Sequence, residues 1–320
     1  MAHHHLEVCV TGGTGYIGSW LIMRLLERGY SVRTTIRSNP GHTKDIGFLT
    51  GLPGASEKLQ IFNADLNILE SFSAAIEGCV GVFHVATPVD FKDKEPEEIV
   101  TKRSIDGALG ILNACLNSQT VKRVIYTSSA VAVRMQFLTL TERAVLEFGE
   151  KHRLELDVVT IIPSLVIGPF ICPKLPSSVS VALAMILENK IIIILYHMVQ
   201  FCNEDVYSFL NARIASSMVH VDDLATAHIF LLEYLNVKGR YICSSDGMTI
   251  QQMSEFLVAS YPEFQIPTPD SMKKYGGSKT QGLSSKKLLD FGFRYKYGVK
   301  EMFDEAIQCC REKGYLQFHG

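Results

Sequence analysis

Glycines at 12, 15 and 18 stand in the run V-C-V-T-G-G-T-G-Y-I-G (8–18), directly after an apolar, β-branched stretch. Each has a use. Gly12 permits a tight turn out of a strand, Gly15 lets backbone approach a pyrophosphate, and Gly18 lets the next helix pack closely. Tyr16 and Ile17 open that helix, whose first N–H groups and positive dipole end favour a phosphate anion. An ordinary glycine-rich strand–helix turn is the plainer interpretation. Here strand, turn and amphipathic helix (Ser19–Arg28, closed by Gly29) all fall where a dinucleotide needs them. The second strand ends at Arg37. An acid there would bind a ribose 2′-hydroxyl, whereas a guanidinium suits a 2′-phosphate through paired, charge-assisted hydrogen bonds. Lys44 lies near enough in sequence to add a second cation. These residues predict NADPH in preference to NADH, against the plainer alternative of a solvated basic loop.

The elements that must position these residues alternate regularly. Strands are expected at Glu7–Val10, Ser31–Ile36, Lys58–Phe62, Cys79–Val85 and Arg123–Thr127. Helices are expected at Tyr16–Arg28, Thr43–Thr50, Leu69–Ile76 and Glu97–Asn117, and a further helix and strand at Thr141–His152 and Asp157–Ile162. This order implies an α/β fold, a Rossmann doubly wound parallel sheet with helices on both faces. Right-handed crossovers then bring every strand's C-terminal end to one rim, where ligands bind. Beyond Pro163 the pieces shorten: Ser178–Glu188, Val219–Val221, Asp222–Tyr234, Arg240–Cys243, Thr249–Ser260 and Lys300–Lys313. Such a stretch is expected to form a smaller C-terminal substrate lobe. The division predicted is a Rossmann domain over 6–165, continuing in part through 219–235, with 166–320 mainly the lobe. Asp222 and Asp223 are expected to cap the helix they begin.

A chain of 320 residues that is 47% hydrophobic can bury a large core. A formal charge of −2 argues against nucleic acid as partner. The apolar stretch Val181–Phe201 carries Glu188, Asn189 and Lys190 mid-way and makes a poor membrane span. Eight cysteines without C-x-x-C spacing are expected as buried thiols in a reducing compartment, with no metal site. No secretory signal is expected ahead of the first strand. The expectation is a cytoplasmic monomer acting on a small molecule.

Five further runs, with the glycine run extended to S-W, make a resemblance specific: N-A-D-L (63–66), G-V-F-H-V-A-T-P (81–88), V-I-Y-T-S-S-A (124–130), I-I-P-S-L-V-I-G-P-F (161–170) and M-V-H-V-D-D (218–223). With them the chain resembles the extended short-chain dehydrogenase/reductase family, in particular its plant vestitone reductase and dihydroflavonol 4-reductase group. The resemblance implies NADPH-dependent reduction of a carbonyl to an alcohol on a flavonoid-like molecule. It implies that Asp65 and Leu66 border the adenine and that Val85, Ala86 and Thr87 line the cofactor. Pro163, Ser164 and Val166 would lie beside the nicotinamide, and the Ser129 hydroxyl would bind the substrate carbonyl. The plainer alternatives are a helix cap for Asp65 and a strand-end backbone contact for Ser129.

Two places break the pattern. In the family a Y-x-x-x-K pair follows the serine on a long helix, phenol and ammonium one turn apart. The cation lets a phenol with an ordinary pKa of ~10 give up its proton near neutrality. Here only Ala130–Leu140 separate Ser129 from T-E-R-A-V-L-E-F-G-E (141–150), which resembles the latter part of that helix. In that register Leu138 takes the lysine position and Arg134 the tyrosine position. Neither side chain can do the chemistry. Literal matches at Tyr234–Lys238 and Tyr275–Lys279 do not follow the serine strand and are read as chance. The second break is an apparent insertion, K-I-I-I-I-L-Y-H-M-V-Q-F-C (190–202), whose aliphatic run suits a buried strand or an aggregation-prone segment. A reductase with impaired turnover is therefore expected, with a non-catalytic cofactor-binding relative or a non-productive splice form as the alternatives.

Overall fold

The computed structural model describes residues 6–37, 45–86, 96–130, 136–187, 217–273 and 283–316. Lys44, Thr87, Arg134, the Tyr275–Lys279 pair and the 190–202 insertion lie outside them. β1 (Glu7–Thr11), α1 (Tyr16–Glu27) and β2 (Ser31–Ile36) form the first βαβ unit. Two short helices, α2 (Gly47–Thr50) and α3 (Ala55–Lys58), lead to β3 (Leu59–Asn63). A 3₁₀ turn (Leu69–Phe72) and α4 (Ser73–Ile76) lead to β4 (Gly81–His84). α5 (Glu97–Ser118), β5 (Arg123–Thr127), α6 (Gln136–Lys151) and β6 (Asp157–Pro163) complete the run. The chain continues through β7 (Leu165–Ile167), α7 (Ser177–Ala182), β8 (Met218–His220), α8 (Val221–Glu233) and β9 (Gly239–Cys243). It then forms α9 (Ile250–Ser260), α10 (Pro269–Met272), α11 (Lys286–Asp290) and α12 (Val299–Glu312).

The sheet order is β3-β2-β1-β4-β5-β6-β9. From β3 to β6 each neighbouring pair is parallel. The expected Rossmann sheet is borne out. The strands carry near-continuous apolar runs because helices cover both faces: Val8, Cys9, Val10, Val82, Phe83, Val124, Ile125, Val159 and Ile161 are all fully buried. One compact unit gathers residues 1–163, 171–173 and 224–241, and a second gathers 164–170, 174–223 and 242–320. In the second unit β7 and β8 form a separate two-stranded parallel sheet, and the Phe170 N–H and C=O both meet the Cys309 thiol.

Several elements differ from their sequence-based positions. α6 starts at Gln136, five residues before the expected Thr141. The buried face Phe137, Thr141, Val145 extends the helical spacing backwards, and the Thr141 hydroxyl donates to the Phe137 carbonyl at 2.7 Å instead of capping an end. β3 begins one residue late because Ala55–Lys58 closes a helical turn first. α7 ends at Ala182, well short of Glu188. α8 begins at Val221, so Asp222 and Asp223 sit inside its first turn and do not cap it. Asp223 accepts the Lys296 and Tyr297 N–H groups, and Asp222 accepts the Tyr297 hydroxyl. Those carboxylates hold a loop that lies more than seventy residues away in the chain.

Candidate active site

The glycine turn sits at the C-terminal end of β1 and is held by β2. Gly12 N–H donates to Thr35 Oγ1 at 3.3 Å, Gly13 N–H to the Thr35 carbonyl at 3.0 Å, and Gly15 N–H to the Gly12 carbonyl at 3.0 Å. Gly12 has φ +75°, and a side chain on it would press on Ala86 Cα at 3.1 Å. At Gly13 a Cβ would collide with the Thr34 hydroxyl, which is committed to the Val10 carbonyl at 2.8 Å. Gly18 is needed for a close approach, but to the turn: its Cβ would stand 2.5 Å from the Gly12 carbonyl oxygen.

Gly15 is the exposed N-cap of α1, with no side-chain cap and no acid in the first turn. A helix of 12 residues therefore presents its N-terminus to an anion without a competing carboxylate. An added Cβ at Gly15 would meet only the Gly12 oxygen, at 3.3 Å, so its outer side is clear for an approaching group. These residues fit a dinucleotide pyrophosphate. Arg37 is exposed one residue past β2. Asp65 lies two residues past β3, at the same rim, because Ile36 pairs with Asn63. Its carboxylate accepts the Asn67 N–H and side-chain amide, both at 2.9 Å, in a local turn. This is the bland role, but in a turn and not in a helix cap.

Thr11 ties β1 to β4. Its hydroxyl oxygen accepts the Val85 and Ala86 N–H groups, each at 3.1 Å, and lies 3.0 Å from His84 Nδ1. With two donors already on the oxygen, its own proton goes to Nδ1. Burial holds the His84 pKa down to about 4, so the ring is neutral at pH 7 and its proton sits on Nε2. Leu66, Ala86 and Leu138 line one small cavity with His84 and Tyr126, so three separately predicted positions meet.

Ser129 is half-buried beyond the end of β5. Its neighbour Ser128 is buried and donates to Glu142 Oε2 at 2.6 Å. Glu142 Oε1 accepts from Arg240 Nε at 2.5 Å. At the end of β5, Thr127 Oγ1 lies 2.8 Å from His228 Nε2, and His228 Nδ1 lies 2.8 Å from the Leu224 carbonyl. Pro163 ends β6. In the second unit Ser164 is buried with its N–H on the Cys243 carbonyl at 3.1 Å, and Val166 is a buried residue of β7 paired with Val219. Sequence reading missed Thr11, Gly13, Thr34, Thr35, His84, Glu142 and Arg240. The one available signal was the doubled glycine at 12–13, whose second member needs the room as much as the first.

Residues 8–134 match the NAD dependent epimerase/dehydratase family. Vestitone reductase of Medicago sativa is 50% identical, with 99% of this chain and 100% of the relative covered. The chain belongs to the NAD-dependent epimerase/dehydratase family. Dihydroflavonol 4-reductase of Arabidopsis thaliana is 43% identical over 97% of this chain and 83% of its own length. The crystal structure of vestitone reductase from alfalfa superposes with a TM-score of 0.79 at 47% identity, covering 97% of this chain and 99% of that one. Membership in the epimerase/dehydratase family, as an NAD(P)-dependent reductase of the extended short-chain type, is thus established. The two sequence matches run over 348 and 340 aligned positions, against the 320 residues of this chain, so gaps open in it against both relatives. Among the described residues of this family member, no helix is long and apolar enough to cross a membrane.

Proposed function

We propose that the chain is an NADPH-dependent reductase, by descent, of a ketone on a flavonoid- or isoflavonoid-like molecule. The observation that carries this is the match to vestitone reductase over its whole length. The uncapped glycine turn supports the cofactor half of the reading. In it Gly12, Gly15, Tyr16, Ile17 and Gly18 hold the pyrophosphate, and Arg37 and Lys44 hold the 2′-phosphate. Asp65 and Leu66 border the adenine, while Val85, Ala86, Thr87, Pro163, Ser164 and Val166 line the rest of the cofactor. Bound there, the dinucleotide supplies a hydride. Ser129 donates a hydrogen bond to the carbonyl oxygen and fixes its orientation. Residues 6–165 act as the cofactor domain and 166–320 mainly as the substrate lobe of a cytoplasmic monomer.

The proton is the missing part. Leu138 stands in α6 in the register of the family's lysine, and it brings no cation to the cavity it lines. That observation favours a second reading, a relative that binds cofactor and turns over little. The test restores the family's Tyr/Lys-bearing segment after Ser129 and follows loss of NADPH absorbance with isoflavanone-, flavanone- and dihydroflavonol-type ketones. The restored chain should reduce at least one of them. Restored chain that binds NADPH and reduces none would overturn the substrate class.

A further inference from the structure

The cavity lined by His84, Tyr126 and Leu138 has a volume of about 10 Å³, the room that one water molecule needs. Its walls also include Ser104 and Thr141, but their hydroxyls already donate to carbonyls of their own helices, at Val100 and Phe137. Two polar groups at the cavity are left over. His84 is 2% exposed and uses Nδ1 on Thr11, so Nε2–H needs an acceptor. Tyr126 is 6% exposed, its ring centre is 5.4 Å from that of His84, and its hydroxyl makes no hydrogen bond among the described residues. A donor and a hydroxyl left without protein partners at that cavity would each forfeit the hydrogen bond they make to water in the unfolded chain. A water in that space accepts from one and bonds the other.

We propose that this cavity is a hydration site, holding one ordered water that accepts from His84 Nε2–H and donates to the Tyr126 hydroxyl. The chain of bonds then runs from the Val85 and Ala86 N–H groups through Thr11 and His84 to the water and Tyr126. It couples the end of β4 to β5. This site stands whether or not the chain turns over any substrate, because it depends only on the tautomer that Thr11 imposes.

Histidine-selective ¹⁵N labelling tests it, with His84→Gln used to assign the signal. The expected spectrum has His84 protonated at Nε2, with a cross-peak from that proton to a long-lived water. In Tyr126→Phe the cross-peak should weaken and the proton should exchange faster. A spectrum of the unaltered chain with the proton on Nδ1, or without the water cross-peak, overturns the proposal. Melting of Tyr126→Phe gives an independent sign. A bridging water predicts a fall on the order of 1–3 °C, because the water loses a partner. An empty cavity predicts no change or a rise, because the substitution removes an unsatisfied hydroxyl, and that result too overturns the proposal.

Discussion

At the β1–β2–β4 end of the sheet the groups that shape the site are mostly backbone. N–H groups of residues 12, 13, 15, 85 and 86 are each answered by threonines of the strands or by the turn itself. At the β5–α6 end the groups are side chains: Ser128, Glu142, Arg240 and, in the family, a phenol and an ammonium on one helix. The first end cannot lose a piece without losing the sheet. The second can: α6 still crosses from β5 to β6, and the two strands pair in register from Arg123–Asp157 to Thr127–Ile161. In the proposed function, cofactor binding is therefore woven into the topology, whereas proton transfer rests on side chains that the topology does not require.

The strongest way to break this comparison is to show that the family's Tyr/Lys-bearing segment does not matter. The chain as it stands should reduce the carbonyl panel at least about 10²-fold more slowly than the chain with the segment restored. General acid catalysis is typically worth about 10²–10⁴-fold, and looser geometry between hydride and carbonyl adds to the loss. NADPH affinity should be alike in the two chains. Turnover within about tenfold of the restored chain would mean that another donor serves.

Each end also holds a fully buried histidine whose pKa burial depresses to about 4, His84 at the first and His228 at the second. Both fold neutral, whereas the unfolded chain binds a proton near pH 6.5. The unfolded state is thus favoured by protons, and stability is full above pH 6.5 and lost as pH falls towards 4. Each could remove up to roughly 3 kcal/mol over that window. Urea midpoints measured from pH 7.5 to 4.5 should decline below about pH 6.5. His84→Gln and His228→Gln should each remove part of the slope. A flat profile would show that neither ring is neutral by burial.

How much of this was legible beforehand depended on how far apart the partners lie. β2 and β5 were read with the bounds observed, because an apolar β-branched run between turn residues is a local signal. β7, three residues long, has too few positions to show a period. The glycine turn was legible because its conformational demands fall on consecutive residues. Thr11–His84 is separated by 73 residues and Glu142–Arg240 by 98, and no spacing rule reaches that distance. Ser128–Glu142, 14 residues apart, joins a strand end to a helix, and no spacing rule covers that step.

Glu142 sharpens the comparison from the side-chain end. Glu142→Ala strands the buried Ser128 hydroxyl, at a cost of about 1–3 kcal/mol, while Arg240 is 59% exposed and can return to water. Chemical denaturation should show that loss. Glu142→Gln keeps an acceptor for Ser128 and should lose less. Cofactor affinity should change little in either variant, since neither touches the glycine turn. An Ala variant that weakens NADPH binding tenfold would join the two ends that the comparison separates.

The smallest expected effect belongs to the first end, where the proposed function gives one side chain a part. Arg37 lies past the end of β2, the strand whose Thr35 also holds the glycine turn, and it is exposed. A guanidinium–phosphate contact can contribute about 1.5–3 kcal/mol, and solvent screening places an exposed one at the low end. Arg37→Ala should therefore weaken NADPH binding about tenfold and leave NADH binding nearly unchanged. Thr35→Val acts on the turn that both cofactors share, so it should weaken both to a similar degree. Calorimetric titration of the two variants with the two cofactors separates selection by charge from positioning by backbone. Equal affinity of the unaltered chain for NADPH and NADH would remove Arg37 from the site and leave the turn as the whole of the recognition.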